Sequence, residues 1–369
     1  MTVIIFLLIL TILVLIHEAG HFLVAKKLGI KVEEFGFGFP PKIWSFKRGE
    51  TEYSINLLPI GGFVKLYGED EAGAGSLKIS KKEYTSDLKR AFFARPIWQR
   101  MLVVVAGVFM NFALAVILIS YLYAVPGVPT LSDQITISQV VKGAPAQVAG
   151  LKTGEIITSI NGAAVKSSED VVNLTRKHLG EKVEIQVSDP KTKTSSIVFV
   201  TPRKDYPSDQ GPMGIAIGQS VVVEKYPWYK APFLGTEEVA KDSLLIVSGL
   251  GSVIDTIFTK AQIPAGVAGP IGIAQITGQF VDSGFNAVLS FVALLSLNLA
   301  VLNILPIPAL DGGRFFFILV EAVTRRKVNP KFEGYTHAVG IAVLLTLIAL
   351  ISIHDILRLI HGQPVIPTQ

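Results

Sequence analysis

Cysteine is absent from all 369 residues, which excludes disulfides, thiolate metal sites and a cysteine nucleophile. Charge is scarce: Asp, Glu, Lys and Arg together make up 17% of the chain, too little for an ordinary water-soluble protein of this length. The net charge is only +5, and the basic side chains cluster beside apolar runs without forming a continuous face, so no nucleic-acid partner is expected. The N-terminus lacks the basic lead and small-residue cleavage site of a signal peptide. What is abundant is apolar surface. Half of the residues are hydrophobic and the mean hydropathy is +0.51.

That apolar content falls in four segments long enough to span a bilayer: about Val3 to Ala25, Met101 to Ala124, Ala287 to Leu305, and about His337 to Ile353. Their flanks set an orientation. Lys26, Lys27 and Lys31 follow the first span, Lys89, Arg90, Arg95 and Arg100 precede the second, and Arg325, Arg326 and Lys327 lie between the third and fourth. All three clusters fall on the cytoplasmic side if the N-terminus faces out. Both termini and the long insert between spans two and three are then extracytoplasmic. Asn111, alone in the second span, reads as helix-packing glue.

The first span ends in His17-Glu18-Ala19-Gly20-His21, after fifteen uncharged residues. On a helix, His17 and His21 are one turn apart and share a face, so both imidazoles can reach one metal ion. Glu18 stands beside the first of them, where a carboxylate could polarise water. Such residues are costly in a bilayer-grade segment and by default suggest function. The pattern predicts a zinc site.

Between the first two spans, Phe35-Gly36-Phe37-Gly38-Phe39-Pro40-Pro41 leads into alternating Ile43, Phe46, Tyr53, Ile55 and Leu57 around the turn 47–50, which reads as a hairpin. Its edge could hold an extended peptide by strand addition, and a plain cytoplasmic hairpin fits the pattern as well. Glu69 to Lys89 is charged and reads as a surface linker. After Pro126 the composition becomes that of a soluble domain. Gly143 to Gly162 (GAPAQVAGLKTGEIITSING) resembles the signature of a bacterial PDZ domain, a fold that binds peptide ends by strand addition. Met213 to Ala216 would be its carboxylate loop. Leu234 to Lys260 is amphipathic and fits either the outer membrane surface or packing on the soluble domain; 265–272 is a turn-rich approach to the third span.

A second chemical cluster, Asn303-Ile304-Leu305-Pro306-Ile307-Pro308-Ala309-Leu310-Asp311-Gly312-Gly313, sits where the third span breaks. A catalytic zinc takes three protein ligands, and Asp311 is the best candidate to join His17 and His21. It is the only acidic residue between Asp282 and Glu321. His337, His354 and His361 read as interfacial or solvated. HEAGH in the first span, the Gly-Phe-Gly segment, a PDZ-like insert and NxxPxPxLDG together resemble the bacterial site-2 protease family of intramembrane zinc proteases, in its RseP-like branch. The likeness covers nearly the whole chain, though only one PDZ signature is visible.

The resemblance implies a polytopic α-helical membrane protein of about four transmembrane helices, with a membrane-associated β-hairpin and an inserted extracytoplasmic PDZ domain. It implies a zinc endopeptidase that cuts transmembrane segments of single-pass proteins such as an anti-sigma factor, or clears remnant signal peptides, with the active site toward the cytoplasmic side of a bacterial inner membrane. Carried over, His17, His21 and Asp311 match the zinc ligands and Glu18 the catalytic base. Asn303, and after it Asn298, match asparagines that hold the substrate backbone, and Gly36 and Gly38 fall in the β-structure that receives it. The expected divisions are 1–127 (N-terminal membrane part), 128–222 (PDZ domain), 223–286 (amphipathic linker region) and 287–369 (C-terminal membrane part). Two rival readings are a catalytically silent PDZ scaffold in the membrane and a transporter with a midplane metal site.

Overall fold

A computed structural model describes residues 1–69, 88–190, 192, 194–207, 210–260, 264 and 266–362. The charged stretch expected as a linker therefore lies, over 70–87, outside the described residues. The chain forms two compact units, one from Met1–Pro126 with Pro227–Gln369 and one from Gly127–Tyr226.

In the first unit α1 (Thr2–Lys27) carries the opening apolar run. The strands β1 (Val32–Arg48) and β2 (Thr51–Leu66) follow, then α2 (Ile97–Ala124). Both strands run further than the alternation alone predicts, because each bends and pairs twice. Trp44–Arg48 lies antiparallel to Thr51–Ile55 around the turn. Phe35, Gly36 and Phe37 are flanked on one side by Tyr53, Ser54 and Ile55 and on the other by Val64, Phe63 and Gly62. Two glycines allow this crowding. A Cβ on Gly36 would collide with the Phe63 ring, and Gly38 has φ +75° against the backbone of Leu58.

The second unit opens with β3 (Val128–Val140). Next come α3 (Pro145–Val148), β4 (Ile156–Ile160), β5 (Ala163–Ala164), α4 (Ser168–Lys177), β6 (Val183–Ser188), β7 (Ser195–Val200) and β8 (Ile215–Glu224). Helix α4 starts where Ser167 and Asp170 close a reciprocal capping box. The sheet order is β7-β6-β4-β3-β8, with β5 on β4. Period-two burial along β6 (Val183, Ile185, Val187) and contributions from Ile135, Ile137, Ile157 and Ile160 build its own core.

The first unit resumes with α5 (Ala231–Lys260), α6 (Pro270–Asp282), α7 (Phe285–Ile304), α8 (Asp311–Thr324) and α9 (Pro330–Ile360). Helix α5 packs on α2 and α7, burying Val239 with Ala115, Leu297 and Val301. Helix α6 stands where a turn-rich approach was expected: Gly269-Pro270 is a helix start, with proline at its first position. Two N–H groups at its start are taken by Asp355 of α9, which accepts from Gly269 N–H (2.9 Å) and Gly272 N–H (2.8 Å). Among the described residues four helices are long and apolar enough to cross a membrane, α1, α2, α7 and Lys331–Ile360 of α9. Helix α2 is central, packing on α1, α5, α7 and α8.

Candidate metal centre and active site

Helices α1 and α2 cross almost backbone to backbone at Gly20, where a Cβ would meet the Ala106 carbonyl carbon at 2.7 Å. The small residue inside His17-Glu18-Ala19-Gly20-His21 thus lets α2 close over the two histidines, which are both buried. Asp311 arrives from the other end of the unit, in the first turn of α8. Gly312 and Gly313 let that turn press against the carbonyls of Ile304 and Ile307, closer than any side chain would permit.

Three atoms converge. His17 Nε2 lies 2.8 Å from Asp311 Oδ2, His21 Nε2 lies 3.1 Å from His17 Nε2, and His21 Nε2 lies 3.3 Å from Asp311 Oδ2. Ligands of a tetrahedral zinc with bonds of about 2.0 Å stand roughly 3.3 Å apart, so the donor set fits one such ion. Among the described residues this is the one group of three or more metal-ligating side chains. The tautomer fits as well. His21 Nδ1 is 2.7 Å from the Val103 carbonyl, which only accepts, so Nδ1 carries the proton and Nε2 keeps its lone pair for a metal. Gly107 of α2 completes the cradle: a Cβ there would lie 2.7 Å from His17 Nε2 and nearer still to His21 Nε2, in the space an ion would take.

Glu18 points to a neighbouring cavity of about 190 Å³ whose lining includes His21, Val64, Glu69, Asp311 and Arg314. Its Oε2 accepts the Val64 N–H at 3.1 Å, so β2 orients the carboxylate. Arg314, one turn after Asp311 on α8, pairs with Glu69, whose other oxygen accepts the Leu66 N–H at 3.1 Å. The cavity is therefore polar at its floor, as a hydrolytic site needs.

The other expected site residues lie elsewhere. Neither Asn298 nor Asn303 lines this cavity. Asn298 donates to Leu294 O in its own helix at 3.0 Å, and Asn303 is half-buried next to the last residue of α7. Gly36 and Gly38 are buried inside the hairpin, and the strand segment against Glu18 is Phe63–Leu66. One residue escaped the sequence reading and two stand in other surroundings than it expected. Arg314 needs α8 to be recognised as a helix. Asn111 is fully buried beside His17 (Nδ2 to Nδ1, 3.4 Å) and is not simply packing glue between helices. His337, expected to be interfacial or solvated, accepts the Ala309 N–H on Nδ1 at 2.9 Å. It thereby secures the loop before Asp311 where Ala309 has φ +84°.

A paired-histidine helix, a distant aspartate and a carboxylate beside a polar cavity, all among membrane-spanning helices, define the class as a membrane metallopeptidase. Residues 5–347 match the model of peptidase family M50, and the chain belongs to that family, the site-2 proteases. It is 31% identical to the zinc metalloprotease RasP of Bacillus licheniformis, over 97% of this chain and 99% of that protein. It is also 31% identical to the regulator of sigma-W protease RasP of Bacillus subtilis, over 97% and 99%. The zinc metalloprotease RasP of Geobacillus kaustophilus is 30% identical over 96% and 97%. The protein is thus a zinc metalloprotease of the membrane, and the silent-scaffold and transporter readings fall away.

Proposed function

We propose that this protein is an intramembrane endopeptidase in which His17, His21 and Asp311 hold one zinc ion and Glu18 is the catalytic base. The observation that carries the reading is the convergence of His17 Nε2, His21 Nε2 and Asp311 Oδ2 beside a cavity that Glu18 enters. Zinc held there supplies Lewis acidity, lowering the pKa of water toward about 7 and polarising a carbonyl. Glu18 takes a proton from the attacking water and returns it to the leaving amine. The Val64 N–H keeps its carboxylate turned toward the cavity.

The substrate in this reading is a transmembrane segment of a single-pass protein. A helix hides its carbonyls in its own hydrogen bonds, so it unwinds before cleavage. The edge of β2 over Phe63–Leu66 supplies replacement backbone partners, and Asn303 supplies an amide from the end of α7. Asn298 has a lesser place, its amide being spent on Leu294. Gly36 and Gly38 contribute by letting the hairpin fold tightly behind that edge.

The unit Gly127–Tyr226 is read as a PDZ-like domain for peptide ends. In support, β8 is an edge strand of the sheet, and an edge strand can pair with an extended peptide. It is placed outside the cell membrane with both termini, and the zinc site toward the cytoplasm. Three contacts support one side for the basic clusters: Lys26 and Arg90 both bind Glu50 (3.0 and 2.7 Å), and Arg100 binds Glu321 (2.8 Å).

The test is cleavage of a model single-pass protein by purified enzyme, wild type against Glu18→Gln, with zinc measured on both. Both should hold about one zinc, because Glu18 is not a ligand. The variant should lose roughly 10²–10⁴-fold in rate, the range for a general acid–base group. Zinc on both with no intramembrane cut by the wild type would refute the proposed substrate class.

A further inference from the structure

We propose that Asn111 is a positioning residue for the zinc site, its side-chain carbonyl accepting the Nδ1–H of His17 so that the Nε2 lone pair faces the metal. The inference rests on His17, His21 and Asp311 being the ligands. Once Nε2 binds a metal, Nδ1 must carry the proton, and a buried N–H needs an acceptor. Asn111 reaches Nδ1 at 3.4 Å, with Nδ2 as the facing atom. That leaves an NH₂ against an N–H, while Asn111 Oδ1 is buried with no hydrogen-bond partner among the described residues. A half-turn about the Cβ–Cγ bond exchanges two ends of equal size and resolves both problems. The orphaned oxygen then accepts from Nδ1–H.

The position of the amide is held from the far side. Ser296 of α7 donates to the Asn111 backbone carbonyl at 2.8 Å, tying this turn of α2 in place. The residues involved recur every fourth position along α2, on one face. Val103 O accepts from His21, Gly107 leaves the space between the imidazoles, and Asn111 serves His17. Each ligand histidine thus receives its own acceptor from a single stripe of the second span. An amide buried in such an apolar helix is costly unless it has this kind of partner.

The experiment measures zinc affinity by chelator competition on the full chain in detergent, for wild type, Asn111→Asp, Asn111→Leu and His17→Ala. Thermal midpoints of the metal-stripped proteins are recorded in parallel. Asn111→Leu should bind zinc about 10–100-fold more weakly, the usual effect of losing a ligand's outer partner. Asn111→Asp, which can only accept, should match or exceed wild type. A role in packing alone would shift the metal-free midpoint and leave relative zinc affinity unmoved. Wild-type affinity in Asn111→Leu, or equal losses in the Asp and Leu variants, would overturn the inference. If the Leu variant does not fold, the Asp variant decides: retained affinity supports the assignment and a tenfold loss overturns it. Wild-type affinity in His17→Ala would refute the ligand assignment itself, and with it this inference.

Discussion

Gly107 shows how tightly single atoms govern this site. Its missing Cβ is the opening between two imidazole nitrogens that would otherwise be filled from α2. Gly107→Ala is therefore expected to abolish most zinc binding while costing about 1–3 kcal/mol in stability through overpacking. Zinc analysis with thermal unfolding of the metal-stripped protein checks it; full zinc occupancy in the variant would show that the ion sits elsewhere. Gly107 was invisible in the sequence, and Asn111 was noticed there only as helix-packing glue, because both act across a helix pair and their value depends on which face of α2 meets α1. His17, Glu18 and His21 were legible because one helix turn sets their spacing. Asp311 was legible as a candidate through its isolation among apolar residues, its place where the third span breaks and the motif around it. The structure places it within 3.3 Å of both histidines, though it lies 294 residues after His17 in the chain.

At the scale of elements, the hairpin depends on its turn. Glu50 is gripped by Arg90, through a bond of 2.7 Å to Nη1, and by Lys26 at 3.0 Å, so the hairpin is fastened to the end of α1 and to the segment before α2. Hydrogen bonding from Arg90, then Lys26, lowers the Glu50 pKa from 4.5 to about 2. A carboxylate whose folded pKa is depressed stabilises the fold above its unfolded pKa, and that contribution fades as pH falls through the folded value. Wild type should thus be more heat-stable than Glu50→Gln at pH 6–7, with the gap closing as pH falls from about 4.5 toward about 2. A gap independent of pH would mean the pairing carries no electrostatic stability. The turn itself was readable from Lys47-Arg48-Gly49-Glu50. The double pairing of Phe35–Phe37 was not, because alternation marks faces and says nothing about how many neighbours a strand acquires. Helix α8 was missed for a related reason. Asp311-Gly312-Gly313 is a poor helix start by propensity, and it is helical because glycines alone fit beneath the end of α7.

For the whole molecule, four spans were legible from apolar length, and four such helices stand among the described residues. Their direction across the membrane is a matter of charge, and the absence of cysteine makes it directly measurable. A single cysteine placed at an exposed site becomes the only thiol in the chain. Arg48 in the hairpin turn, Arg326 after α8 and Lys182 beside β6 are all exposed. If the basic clusters mark the cytoplasmic side, a membrane-impermeant maleimide applied to intact cells with a permeable outer layer should label Lys182→Cys and spare Arg48→Cys and Arg326→Cys. Disrupted membranes should expose all three. Labelling of Arg326→Cys from outside would invert the proposed topology and place the Asp311 end of α8 toward the exterior. On the proposed intramembrane activity, a zinc site on the cytoplasmic side would cut a membrane segment so that its cytoplasmic fragment is freed. The orientation experiment therefore decides which end of a substrate this protease can release.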